Sequence, residues 1–204
     1  MILIYDYGIG NTGSIKNMIR RMGLNSEISS ELELVRDASV CIIPGVGSFD
    51  TCVSEFMKQD SSQVLLERIA SGLKTLGICV GMQMLFEQSE EGELKGLGLI
   101  PGEVKKFNYA DSSFTNKIPH MTWNYVKSNH KNVAYKIFEG DPKFYFVHSY
   151  HAVCSDQYVT GYTDYGYKFP ASVRKGNVHG VQFHPEKSHV FGMNFLKNFF
   201  NDTS

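Results

Sequence analysis

Leu76-Gly77-Ile78-Cys79-Val80-Gly81-Met82-Gln83 is the stretch on which the reading of this chain turns. Lys74 to Ile78 has the apolar run of a short buried strand, and Val80 to Glu87 reads as the helix after it. Cys79 stands at the junction, with a glycine two places before it and two after. That is the spacing of a nucleophile elbow, with sulfur in place of a serine hydroxyl. A sharp strand-to-helix turn is crowded and strains the residue at its apex. Gly77 and Gly81 remove the side chains that would collide there. A cysteine at a helix start also meets unpaired N–H groups and the positive end of the dipole, which favour thiolate over thiol. The same N–H groups can hold an oxyanion. The alternative for any cysteine is inert burial. Cys41, beside Ile42 and Ile43, has that character, and Cys52 and Cys154 have no special context.

Outward from the elbow, the first half of the chain alternates strand and helix. Ile2–Asp6 is a strand, and a helix runs from a cap at Asn11 or Thr12 to about Met22, where Gly23 ends it. A weak strand at Glu27–Ser29 precedes a buried one at Val40–Ile43, broken by Pro44-Gly45. Two helices follow between Asp50 and Gly72. This alternation predicts an α/β fold with a mostly parallel sheet. After Gln88 the character changes. Gly92 to Gly102 is glycine-rich loop, and strand patterns recur at Val104–Phe107, Asn124–Lys127, Phe144–His148, Tyr158–Tyr162, Ala171–Arg174 and Val178–Phe183. These are expected to add antiparallel strands to the sheet. A last helix, about Phe191 to Phe200, packs back. With no repeat and no linker, residues 1–204 read as a single domain.

A cysteine nucleophile needs a base, and the base needs an orienting group. Among seven histidines, His184 in Gln182-Phe183-His184-Pro185-Glu186 is set apart. Pro185 cannot continue a central ladder, so His184 falls at a strand end, where sites form in α/β sheets. Glu186 lies two places on and projects to the same side of an extended segment. Cys79, His184 and Glu186 thus make a triad by role.

These residues resemble the class I (triad) glutamine amidotransferases. Pro44-Gly45-Val46-Gly47-Ser48-Phe49, Pro119-His120-Met121-Thr122-Trp123-Asn124, Tyr145-Phe146-Val147-His148-Ser149-Tyr150 and Glu186-Lys187-Ser188 narrow the resemblance to the glutaminase subunits of imidazole glycerol phosphate synthase. The likeness runs from Met1 to about Phe200. It implies a flavodoxin-like sheet with helices on both faces, and hydrolysis of glutamine to glutamate and ammonia through a thioester on Cys79. An oxyanion site is implied at Val80 and at Gly45, Val46 and Gly47, with glutamine held by Gln83, His148, Ser149 and Tyr150. The implied partner is a (β/α)8-barrel cyclase that takes the ammonia into histidine biosynthesis, with Asn11, Trp123, Tyr145 and Lys187 at the contact. No cofactor or metal is implied. Ammonia in neutral water is soon protonated, and nothing in the sequence suits a second, phosphorylated substrate, so an acceptor on another polypeptide follows on chemical grounds too. Thr122 stands where the family usually has glycine and restricts the backbone beside Trp123. A paralogous branch supplying ammonia to a surface-sugar amidation enzyme has the same chemistry and is the alternative role.

Composition narrows the field. Twenty Lys and Arg against 21 Asp and Glu leave a net charge of −1, which offers nothing to nucleic acid or an anionic membrane. No apolar run approaches membrane-spanning length. Four cysteines without Cys-x-x-Cys or framework spacing suit a reducing cytoplasm. Met1 to Asp6 lacks the basic region and cleavage site of a signal peptide. One rival comes from another class. Gly8-Ile9-Gly10-Asn11-Thr12-Gly13 is a formal Gly-x-Gly-x-x-Gly between strand and helix, with Glu31 or Glu33 near the ribose offset of a dinucleotide site. It leaves the Cys–His–Glu constellation without a role. His148-x-x-His151 is a weak metal signal for want of further ligands at suitable spacing.

Overall fold

The structure, a computed structural model, describes residues 1–108, 117–128 and 133–202. Strands β1 (Ile2–Tyr5), β2 (Ser26–Ser29), β3 (Val40–Ile43) and β4 (Lys74–Ile78) alternate with helices α1 (Thr12–Arg21), α2 (Leu32–Asp37), α3 (Phe49–Met57) and α4 (Ser62–Ala70). Next come the elbow helix α5 (Val80–Gln83), β5 (Gln88–Ser89) and β6 (Glu103–Lys106). The rest is β7 (His120–Tyr125), β8 (Lys127–Ser128), β9 (Lys143–His148), β10 (Tyr150–Val153), β11 (Val159–Asp164), β12 (Lys168–Lys175), β13 (Val178–Val181) and helix α6 (His189–Asn201).

The main sheet has eight strands in the order β2-β1-β3-β4-β13-β12-β11-β8. The first five are parallel and the last three antiparallel. Right-handed crossovers in that order set α1 on one face and α2 to α4 on the other. In keeping with this, α1 touches α6 and α2 touches α4. The antiparallel half is only partly as expected. β8, β11 and β12 extend the main sheet, but β7 and β9 form a separate ribbon, and β5, β6 and β10 a third sheet. β13 takes the place beside β4, so β7 pairs with β9 and β6 with β10 away from the main sheet, the chain changing partner at Ser149.

Several boundaries moved for physical reasons. The helix after the elbow ends at Gln83 rather than Glu87. Its last turn tightens through Leu85 N–H to the Met82 carbonyl and Phe86 N–H to that of Gln83. The Gly96–Ile100 segment then takes the Met84, Leu85, Phe86 and Glu87 carbonyls. α2 has no counterpart in the sequence pattern, since its six residues bury only Val35. β7 starts at His120 instead of Asn124, fixed by pairing along β9. β12 runs on through Pro170, which faces Tyr162 beside a register shift in β11, where a missing N–H does least harm.

Candidate active site

β3, β4 and β13 lie side by side, and their C-terminal ends deliver Gly45–Gly47, Cys79 and His184 to one place. Cys79 is at φ 55 and ψ −113, a conformation of the kind that costs about 1–3 kcal/mol and persists only when its surroundings impose it. They do so here by close packing. A Cβ on Gly81 would lie 2.0 Å from the Ile43 carbonyl oxygen, and one on Gly77 would lie 2.5 Å from that of Gly81. A Cβ on Gly45 would meet the Gly81 nitrogen at 2.3 Å. The glycines thus let the elbow press onto β3 and the loop behind it.

The His184 imidazole Nδ1 lies 2.8 Å from Glu186 Oε1, and both side chains are buried. Asn11 Nδ2 approaches the same oxygen at 3.5 Å. Among the described residues, His184 Nε2 makes no hydrogen bond of ordinary geometry. Burial opposes a charged His184, but Cys79 and Glu186 outweigh it and raise its pKa to about 10. A cationic imidazole between a thiol and a carboxylate is what a thiolate–imidazolium pair requires. Cys79 Sγ has Gln182 Nε2 at 3.8 Å and the Val147 carbonyl at 4.0 Å. With only four residues, α5 has little dipole to offer, so the local charge and the Gln182 amide matter more to the sulfur.

A cavity of about 390 Å³ opens over the thiol, within the usual size of small-molecule sites. Val46, Gly47, Cys79, Val80, Gln83, His148, Ser149, Tyr150, His184 and Lys187 line it. Gly45 and Glu186 sit behind the lining. Gln83 is buried, its Nε2 donating to the Tyr150 carbonyl at 3.0 Å and to Gln182 Oε1 at 3.1 Å. The His148 ring is spent inward. Nδ1 meets the Tyr150 carbonyl at 2.7 Å and Nε2 meets His120 Nδ1 at 3.0 Å. Burial, then the neighbouring His120, holds His148 well below the usual histidine range. His148 therefore offers the cavity its ring face and backbone rather than a free nitrogen.

Of two further polar residues at the site, Glu91 has no signal in the sequence and Gln182 has only its place two residues before His184. Glu91 lines the cavity, with Oε2 accepting from the Phe49 N–H at 2.8 Å, and burial raises its pKa. Gln182 bridges Gln83 and Cys79. Both reach the site by long-range packing.

Trp123, Tyr145 and Lys187 gather on one face, although Trp123 and Tyr145 are far from Lys187 in sequence. Trp123 pairs with Tyr145 across β7 and β9, and the Lys187 ammonium lies 5.8 Å from the Tyr145 ring centre. Met121 and Tyr125 on the same ribbon are exposed. Trp123 stacks on His189, with ring centres 5.4 Å apart. The Gly8–Gly13 loop is engaged otherwise than a nucleotide site needs. A Cβ on Gly10 would strike Pro44 at 2.6 Å, Asn11 points to Glu186, and Glu33 pairs with Arg36 at 2.8 Å. His151 bonds to the Ala152 carbonyl and the Tyr167 hydroxyl. No helix among the described residues is long and apolar enough to cross a membrane.

A thiol, an imidazole and a carboxylate meet at the C-terminal edge of the parallel strands, the arrangement of a cysteine nucleophile with an oriented base. The chain belongs to the class-I glutamine amidotransferase family, whose model matches residues 3–203. Within that family it stands with the HisH subunits of imidazole glycerol phosphate synthase. It is 46% identical over 202 residues to HisH 2 of Methanococcus maripaludis, covering 98% of both chains. It is 43% identical over 203 residues to HisH of Bacillus cereus, covering 98% of this chain and 93% of that one. Among solved structures, a glutamine amidotransferase aligns with a TM-score of 0.76 at 17% identity over 98% of both chains. PurLQS from Thermotoga maritima aligns at 0.72 and 18% identity, over 98% of this chain and 97% of that one. These two bear on the fold alone.

Proposed function

We propose that this chain is the glutaminase subunit of an imidazole glycerol phosphate synthase, supplying ammonia to a (β/α)8-barrel cyclase in histidine biosynthesis. The observation that carries the reading is the buried His184–Glu186 pair at 2.8 Å beside Cys79, under one cavity. The Cys79 thiolate attacks the side-chain amide carbon of glutamine. The carbonyl oxygen becomes an oxyanion held by the Val80 N–H and an amide of Gly45–Gly47. The C–N bond then breaks as the His184 imidazolium gives its proton to the departing nitrogen, releasing ammonia and leaving a thioester. Water attacks the thioester while His184 takes its proton, and glutamate leaves with the thiolate restored. Glu186 holds the imidazole in the tautomer that keeps Nε2 toward the sulfur. Gln182 donates to the thiolate.

Glutamine carries an α-ammonium and an α-carboxylate. Glu91 is the cavity's counter-charge for the ammonium, and Ser149, Tyr150 and Gln83 line the same cavity for the rest of the substrate. The exposed face with Trp123, Tyr145 and Lys187 is the docking surface for the cyclase, with Asn11 linking that edge to Glu186. The cytoplasm is the compartment that fits a thiolate enzyme of this kind. The test is Cys79→Ala in the complex with the cyclase. Glutamate release is expected to vanish while the cyclase still copurifies. Undiminished hydrolysis would refute the nucleophile.

A further inference from the structure

Two buried side chains hold the loop over Cys79 from behind. The Tyr7 hydroxyl donates to the Pro44 carbonyl and lies 3.7 Å from Met84 Sδ. The Cys52 thiol, on α3, donates to the Val46 carbonyl at 3.3 Å. Both residues are almost fully buried, and Tyr7 packs edge-on against Phe56, with ring centres 5.8 Å apart. Neither has a part in the chemistry described above.

A trans peptide points its N–H away from its C=O. Pinning the Pro44 and Val46 carbonyls therefore fixes where the Gly45 and Gly47 amides aim. Gly47 has φ 87, so no side chain of its own steadies that end of the loop. Val46 is 39% exposed and cannot anchor the loop by packing. Gly45 is held by its packing on Gly81 and Pro44 by its packing on Gly10, and the two donors beneath the loop add the only side-chain hydrogen bonds to its carbonyls among the described residues. We infer that Tyr7 and Cys52 are positioning residues that orient the Pro44–Gly47 loop, and through it the amide that meets the oxyanion. Burial raises the Cys52 thiol to about 11 and pushes Tyr7 well above the usual phenol range, so both stay protonated donors at neutral pH.

The inference rests on the glutaminase reading, and the experiment separates the two. Tyr7→Phe, Cys52→Ala, Cys52→Ser and Cys79→Ala are assayed in the complex with the cyclase for kcat and KM of glutamine hydrolysis. Alkylation of Cys79 by iodoacetamide is followed by mass spectrometry. Alkylation is a displacement at carbon by the sulfur and needs no oxyanion donor. Outright loss of such a donor costs about 10²–10³ in rate, so a loosened loop is expected to cost about 10-fold in kcat. Tyr7→Phe and Cys52→Ala should show that loss with KM and the alkylation rate unchanged. Cys52→Ser, which keeps a donor, should stay near the parent. Parent kcat in both variants, with Cys79→Ala inactive, would overturn the anchors alone. So would a parallel fall in hydrolysis and alkylation, or a Cys52→Ser as poor as Cys52→Ala. Hydrolysis surviving in Cys79→Ala would overturn the glutaminase reading and the anchors with it.

Discussion

Gly81→Ala tests the elbow most directly, because its consequence can be worked from backbone atoms alone. The new Cβ would start 2.0 Å from the Ile43 carbonyl oxygen and 3.0 Å from the Ile43 carbonyl carbon. Real Cβ contacts essentially never fall under 3.0 Å, so α5 and β3 must part by 1 Å or more. Neither partner is a side chain, so no rotamer change relieves the clash. Overpacking of this kind costs about 1–3 kcal/mol, which for a chain of this size lowers Tm by about 2–4 °C per kcal/mol. The activity should suffer more. Moving Cys79 by about 1 Å against His184 and the Gly45–Gly47 loop is expected to cost about 100-fold in kcat/KM, or about 2.7 kcal/mol. The assay is glutamate release by the cyclase complex, paired with thermal unfolding. Gly13→Ala is the control, since Gly13 lies in α1, has open space around it and does not sit at positive φ. It should raise Tm and leave hydrolysis alone. A Gly81→Ala variant with parental Tm and hydrolysis within about threefold of the parent would refute the packing account.

Glu186→Gln removes a charge that holds His184 protonated. General acid–base contributions are about 10²–10⁴ in rate, so kcat should fall within that range and the basic limb of the pH profile should move to lower pH. An unmoved limb would disconnect Glu186 from the imidazole. His179 supplies a stability test away from the site. Its ring nitrogens are buried without hydrogen-bond partners among the described residues, and burial, then the Arg174 and Lys74 charges, pushes it down to about 3. Below its unfolded pKa of about 6.5 the unfolded chain binds a proton that the folded one refuses. Stability from this group is thus present above that pH and is lost as pH falls toward 3, at up to about 1.4 kcal/mol per pH unit. His179→Leu should raise stability by about 1–3 kcal/mol at pH 7 and flatten the acid limb measured by urea unfolding. A variant as acid-sensitive as the parent would clear His179 of the effect.

By itself, the sequence determined what short-range sterics and periodicity encode. Val40–Ile43 and Lys74–Ile78 could be read to the residue, because each is an apolar run closed by a turn signal. The elbow at Cys79 was legible in two glycines, since close backbone approach demands them wherever the fold places it. His184 and Glu186 were legible as a pair because two residues suffice to bring them together. Only the tertiary structure decided which distant groups meet. Strand order, which no local pattern specifies, set β13 beside β4 and so brought His184 to Cys79. The tertiary packing carried Glu91 to the cavity and the Gln182 amide to the Cys79 sulfur, turned the His148 ring away toward His120, and drew β7 and β9 out of the main sheet. Tyr7 and Cys52 belong to this second group. Their hydrogen bonds span 37 and six residues, and they form only once β1 and α3 have packed against the loop after β3.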